Sequence, residues 1–137
     1  MTFGKIRKIF GNTSKEGYYE LYRLCGKEGI TVIGGPSKLF KHFIENMKPI
    51  EVISYCHKDI SNGNVYRKIG MQKEVEVGIG YSYWKQGLER RINRFSLRKD
   101  KVDDGSGRSA FDILDSQGYR RCYNSGTKKF IWNNQLT

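Results

Sequence analysis

Between residues 85 and 101 the chain carries seven basic side chains, Lys85, Arg90, Arg91, Arg94, Arg98, Lys99 and Lys101, against two acidic ones, Glu89 and Asp100. Arginine predominates. A guanidinium grips a phosphate or a guanine edge with two parallel hydrogen bonds, whereas an ammonium acts as a point charge. The chemistry offered is that of holding a polyanion. Leu88, Ile92 and Phe95 fall at i, i+4 and i+7, one apolar stripe of a helix spanning this stretch. On that helix Arg90, Arg94 and Arg98 would form a cationic ridge beside the stripe. A merely solvated helix face is the plain alternative. The nearly uniform sign and the few carboxylates favour a bound partner. The expected contacts are Arg90, Arg91, Arg94, Arg98, Lys99 and Lys101, supported by Arg108, Arg120 and Arg121.

Other candidate chemistry is thinner. A metal-dependent nuclease needs carboxylates near a lysine or histidine. Glu74 and Glu76 share a strand face, but no lysine follows at the E-x-K spacing. His57 with Asp59 makes an H-x-D fragment, and one histidine in a turn is more often structural. Lys58 and Asn62 lie in a polar loop before a helix N-terminus, where free N–H groups can bind phosphate. The competing reading is that Ser61 or Asn62 simply caps that helix. The nine tyrosines and two tryptophans could stack on unpaired bases, but most alternate with apolar neighbours and read as core. The only histidines are His42 and His57, and no CxxC or HxxxH occurs, so no metal site and no cofactor are expected.

The whole chain has 137 residues and a formal charge of +11, enough length for one compact core and a charge suited to nucleic acid. No apolar run approaches the roughly 18 residues a membrane span needs. Met1 leads into TFGKIRKIF, so no secretory signal is expected. Cys25, Cys56 and Cys122 are odd in number and widely spaced, which suits a reducing cytoplasm.

The elements that must position these residues follow from pattern. Residues 2–9 read as a strand with Phe3, Ile6 and Ile9 as its apolar members, and 11–14 as a turn. Residues 18–25 fit either period and are read as a strand. Pro36 sits where a first helical turn accepts it, and Leu39, Phe40, Phe43, Ile44 and Met47 make a helical apolar face ended by Pro49. Residues 50–55 read as a buried strand. A short helix over 64–69 is capped by Ser61-Asn62-Gly63 and closed by Gly70. Residues 72–79 alternate as a half-exposed strand. Ser109 and Asp112 form a capping box for a helix through Gln117. Residues 120–124 and 127–132 read as a basic hairpin joined by Ser125-Gly126. The fold class is α+β, α/β-like in its order: a core over residues 1–85, then an extension over 86–137 with the basic helix and hairpin.

Gly34-Gly35-Pro36-Ser37-Lys38-Leu39-Phe40 and the string Ser61-Asn62-Gly63-Asn64-Val65-Tyr66-Arg67-Lys68-Ile69-Gly70 resemble a domain of phage-encoded homing endonucleases. There it accompanies a separate nuclease domain and is taken to bind DNA. The likeness extends to Thr2-Phe3-Gly4-Lys5, Glu20-Leu21-Tyr22-Arg23, Arg91 to Phe95, and Gly118 to Trp132, so it covers nearly the whole chain. It implies a free-standing, nuclease-free copy acting as a sequence-specific double-stranded DNA-binding repressor. Its place would be the bacterial cytoplasm, on nucleoid or phage DNA, and a homodimer is left open. The same string also resembles the second half of acyltransferases of the GNAT type. In that fold a strand leads into a glycine-containing loop and a helix that hold the acyl-CoA pyrophosphate. Gly34 to Ser37 match the loop, and Asn62 and Tyr66 match an asparagine and a tyrosine general acid. The loop lacks the usual Arg/Gln-x-x-Gly-x-Gly/Ala pattern, and the first strands of that fold have no counterpart. The likeness therefore implies a partial GNAT-like mixed sheet used as a scaffold, with a GNAT-type acyltransferase, or the DNA-binding part of a homing endonuclease, as the alternatives to a repressor.

Overall fold

The structure, a computed structural model, describes residues 1–8 and 11–136. Ile9, expected in the first strand, lies outside them. In chain order the elements are β1 (Thr2–Lys5), β2 (Tyr18–Arg23), α1 (Gly35–Met47), β3 (Glu51–His57), α2 (Asn64–Lys68), β4 (Lys73–Gly78), β5 (Tyr81–Trp84) and β6 (Ile92–Asn93). A 3₁₀ turn (Arg94–Leu97) follows, then α3 (Lys99–Val102), α4 (Ala110–Ser116), β7 (Arg120–Tyr123), β8 (Thr127–Asn133) and a second 3₁₀ turn. The fold is α+β, with a five-stranded mixed sheet and a three-stranded one.

The chain forms two compact units, one from Met1–Gly78 with Gly126–Thr137, the other from Ile79–Ser125. In the first, the sheet order is β1-β2-β3-β8-β4. β2 and β3 run parallel, linked through α1, while β8 runs antiparallel between β3 and β4. Its core is Leu21, Phe40, Val52, Cys56, Ile69, Met71, Phe130 and Trp132. Each such large side chain, fully buried, contributes about 1.5–3 kcal/mol. α1 begins with Pro36 in its first turn as expected and buries Phe40. Leu39 and Met47, assigned to the same apolar face, stay half exposed. β3 is buried at four of its seven positions, so the apolar run at 50–55 marked a central strand.

Gly63 shows why the loop before α2 has its sequence. It adopts φ +80, and a Cβ there would lie 2.3 Å from Phe130. Ser61 Oγ accepts from the Gly63 N–H at 3.2 Å, and Asn62 Oδ1 accepts from the Asn64 N–H at 3.1 Å. Both polar side chains pin the turn before α2, but the N-cap is Gly63 and no side chain caps the helix, so neither Ser61 nor Asn62 takes the capping place expected of it.

The second unit carries the sheet β6-β5-β7 and buries Tyr83, Ile113 and Leu114. α4 is capped as expected, Ser109 Oγ accepting from the Asp112 N–H at 3.2 Å. Two expectations fail here. Residues 84–101 form no continuous helix, and residues 120–132 form no hairpin. Trp84 ends β5, Gly87 turns the chain at φ +89, and Ile92 and Asn93 pair with Tyr83 and Ser82 as β6. The Asn93 side chain then caps the 3₁₀ turn by accepting from the Phe95 N–H at 2.9 Å, and Arg98 is again extended. A helix must first form a costly nucleus. Strand pairing at Ile92 and the cap at Asn93 claim the residues that nucleus would need. β7 pairs with β5, and β8 joins the other unit's sheet, so Ser125-Gly126 connects strands of different sheets. The expected break after residue 85 is likewise replaced by an excursion, because β8 returns to complete the first sheet.

Candidate nucleic-acid interface

Nine of the expected contact residues, Arg90, Arg91, Arg94, Arg98, Lys99, Lys101, Arg108, Arg120 and Arg121, lie in the second unit, and Lys58 and Asn62 lie in the first. Their circumstances differ. Arg108 donates to Asp104 at 2.8 Å, and Arg120 to Asp115 at 2.7 Å. The Asp104 carboxyl is pulled down to about 2 by hydrogen bonds from Ser106 and Arg108. Arg90, Arg91, Arg94, Arg98, Lys99 and Lys101 pair with no carboxylate among the described residues, and all but the half-buried Arg94 are exposed. The unit's acidic side chains therefore leave this group uncompensated.

The ridge of Arg90, Arg94 and Arg98 is not formed, because the segment is not one helix. Arginines and rings alternate in its place. The Arg98 and Arg94 guanidinium carbons each lie 4.9 Å from the Phe95 ring centroid. Arg94 also lies 5.4 Å from the Tyr81 ring, and Arg121 lies 4.5 Å from both Tyr81 and Phe111. Phe95 was read as part of an apolar stripe, yet it is 52% exposed. The signal available in the sequence was the string Arg94-Phe95-Ser96-Leu97-Arg98, whose two arginines bracket one ring. That Tyr81 and Phe111 join it depends on β5 and α4 and was not legible.

In the first unit Lys58 faces Glu76 at 3.3 Å, and Lys128 reaches Glu74 at 3.3 Å. Arg67 holds Glu74 through two nitrogens. A small cavity of about 350 Å³ is lined by Lys58, Ser61, Asn62, Arg67 and Lys128. Its cations are met by Glu74 and Glu76, the pair considered above for a nuclease. Among the described residues no cluster of three or more His, Cys, Asp or Glu is placed to hold a metal ion.

A second cavity in the first unit was missed. β2 and β3 are bonded only from Tyr18 to Glu20 against Glu51 to Ile53. At the point where they part, Ser54 Oγ donates to the Leu21 carbonyl at 3.0 Å. Beyond it opens a cavity of about 900 Å³, walled by Cys25, Ile30, Val32, Tyr55, His57 and Tyr66, among others. Ile30 and Val32 on its wall are more than half exposed. Tyr66 stacks on Phe130 with centroids 4.9 Å apart.

No family model, curated protein or solved structure matches the chain. No helix among the described residues is long and apolar enough to cross a membrane.

Proposed function

We propose that the protein binds double-stranded DNA site-specifically and acts by occupancy, as a repressor does, without cutting or modifying it. The observation that carries this reading is the group Arg90, Arg91, Arg94, Arg98, Lys99 and Lys101, which the unit's own carboxylates leave unpaired. Arg108 and Arg120 in the same unit are paired, with Asp104 and Asp115, which sets the unpaired group apart from them. Phosphate contacts dominate affinity, and a few arginines at base edges specify the site. Exposed pairs such as Arg120 with Asp115 are worth about 0–1 kcal/mol and yield readily to a phosphate. The resemblance to the DNA-binding domain of homing endonucleases supports the same conclusion. The test is a mobility shift on random-sequence duplexes repeated at several salt concentrations. Selection of one sequence with a steep salt slope is expected, and no binding at low salt refutes the reading.

A second reading is favoured by one observation, the cavity of about 900 Å³ where β2 and β3 part, with Tyr66 on its wall. It would take an acyl-CoA, as the GNAT resemblance implies. Calorimetry with acetyl-CoA tests it, and turnover lost in Tyr66→Phe would establish transfer.

A further inference from the structure

We propose that Phe95 is an apolar wedge that enters a base step of the bound duplex and bends it. The inference rests on the DNA-binding reading and adds to it a deformation of the partner. Phe95 is 52% exposed, and the guanidiniums of Arg94 and Arg98 each lie 4.9 Å from its ring centroid. Neither arginine has a carboxylate partner among the described residues, so both are available to the DNA beside a step, Arg98 to a flanking phosphate and Arg94 to the phosphate or base edge next to the ring. A cation resting on an exposed ring is held weakly, and a charge-assisted bond to phosphate is stronger. Binding therefore draws the guanidiniums off the ring and leaves an apolar face to be buried. The base stack is the most extensive apolar surface that DNA offers to such a ring.

The ring is also mounted firmly. The Phe95 backbone N–H donates to Asn93 Oδ1 at 2.9 Å at the start of the 3₁₀ turn, which fixes the backbone that carries the ring. Just before it, Ile92 and Asn93 pair with Tyr83 and Ser82 of β5. Tyr81 lies in β5, edge-on to Tyr83 with centroids 5.6 Å apart. A wedge on such a mount loses little freedom on insertion. Apolar wedges flanked by cations unstack one step and kink the duplex by about 20–90°.

The experiment uses the full chain and a duplex recovered from the random-sequence selection, labelled at both ends for energy transfer. Wild type should shorten the end-to-end distance. Phe95→Ala should bind roughly tenfold more weakly, keep the salt slope because phosphate contacts persist, and lose the bend. Phe95→Leu should restore most of the bend, since leucine is also an apolar wedge. Matching thermal melts confirm that both variants fold. The wedge is overturned if wild type binds without bending, or if Phe95→Ala bends equally. It is also overturned if the alanine variant loses affinity for single strands alone. Failure of wild type to bind any duplex overturns the DNA reading itself and the wedge with it.

Discussion

The Arg121 guanidinium carbon lies 4.5 Å from the Tyr81 ring centroid, and Arg121 Nε donates to the Tyr83 hydroxyl at 3.2 Å. Hydrogen bonds with Tyr123 and Tyr83 hold its pKa further above the ordinary guanidinium value. Tyr83 sits opposite Arg121 in the β5–β7 ladder, and Phe111 is brought to it by α4. Arg121 thus ties β5, β7 and α4 together. Arg121→Ala should lower stability by about 1–3 kcal/mol, read in urea unfolding. A variant as stable as wild type would show that the ring contacts contribute nothing.

Arg94 presents the opposite case. Its guanidinium is braced by rings and opposed by no carboxylate among the described residues. Arg94→Ala should weaken binding to the selected duplex by about 1–3 kcal/mol if it reaches a base edge, and relax preference at one base position. Arg98→Ala should weaken all duplexes alike and reduce the salt slope by about one. Fluorescence anisotropy across salt separates the two. Unchanged affinity in Arg94→Ala removes this segment as the reader.

Gly63 tests the loop that places Lys58 and Asn62. Its φ is +80, and an added Cβ meets Phe130 at 2.3 Å. Phe130 is fully buried and cannot withdraw. Gly63→Ala should destabilise the protein by about 2–4 kcal/mol, from left-handed backbone strain and overpacking together. Thermal melting of the two proteins measures it.

Glu74 gives a pH signature. Its carboxyl is lowered from 4.5 to about 2 by hydrogen bonds from Arg67 first and Lys128 second. A folded pKa below the unfolded one means stabilisation that is present above pH 4.5 and fades as pH falls towards 2. Wild type should therefore exceed Glu74→Gln in stability at neutral pH, and the gap should close across that window. A gap that persists at pH 2 would mean the ion pairs are not its source.

Local chemistry was legible without the fold. Pro36 starting α1, Asn62 and Ser61 pinning the turn at Gly63, Gly70 closing α2, and Ser109 capping α4 all act within a few residues of themselves. A side chain bonding to backbone that near needs no partner from elsewhere, so the sequence carries it. The uncompensated charge of residues 90–101 was equally visible, because charge is a property of composition.

What the tertiary structure decided are the choices between partners distant along the chain. The spacing of Leu88, Ile92 and Phe95 fits a helix, yet Ile92 pairs with Tyr83 and Phe95 is left outside. Ser125-Gly126 reads as a hairpin turn, yet β7 takes β5 and β8 takes β3 and β4. Period and turn residues describe what a segment can do alone. Which strand it joins is set by the apolar surface and hydrogen bonds that residues tens of positions away bring to it, and that pairing turned the arginine ridge into a set of cations ranged among rings.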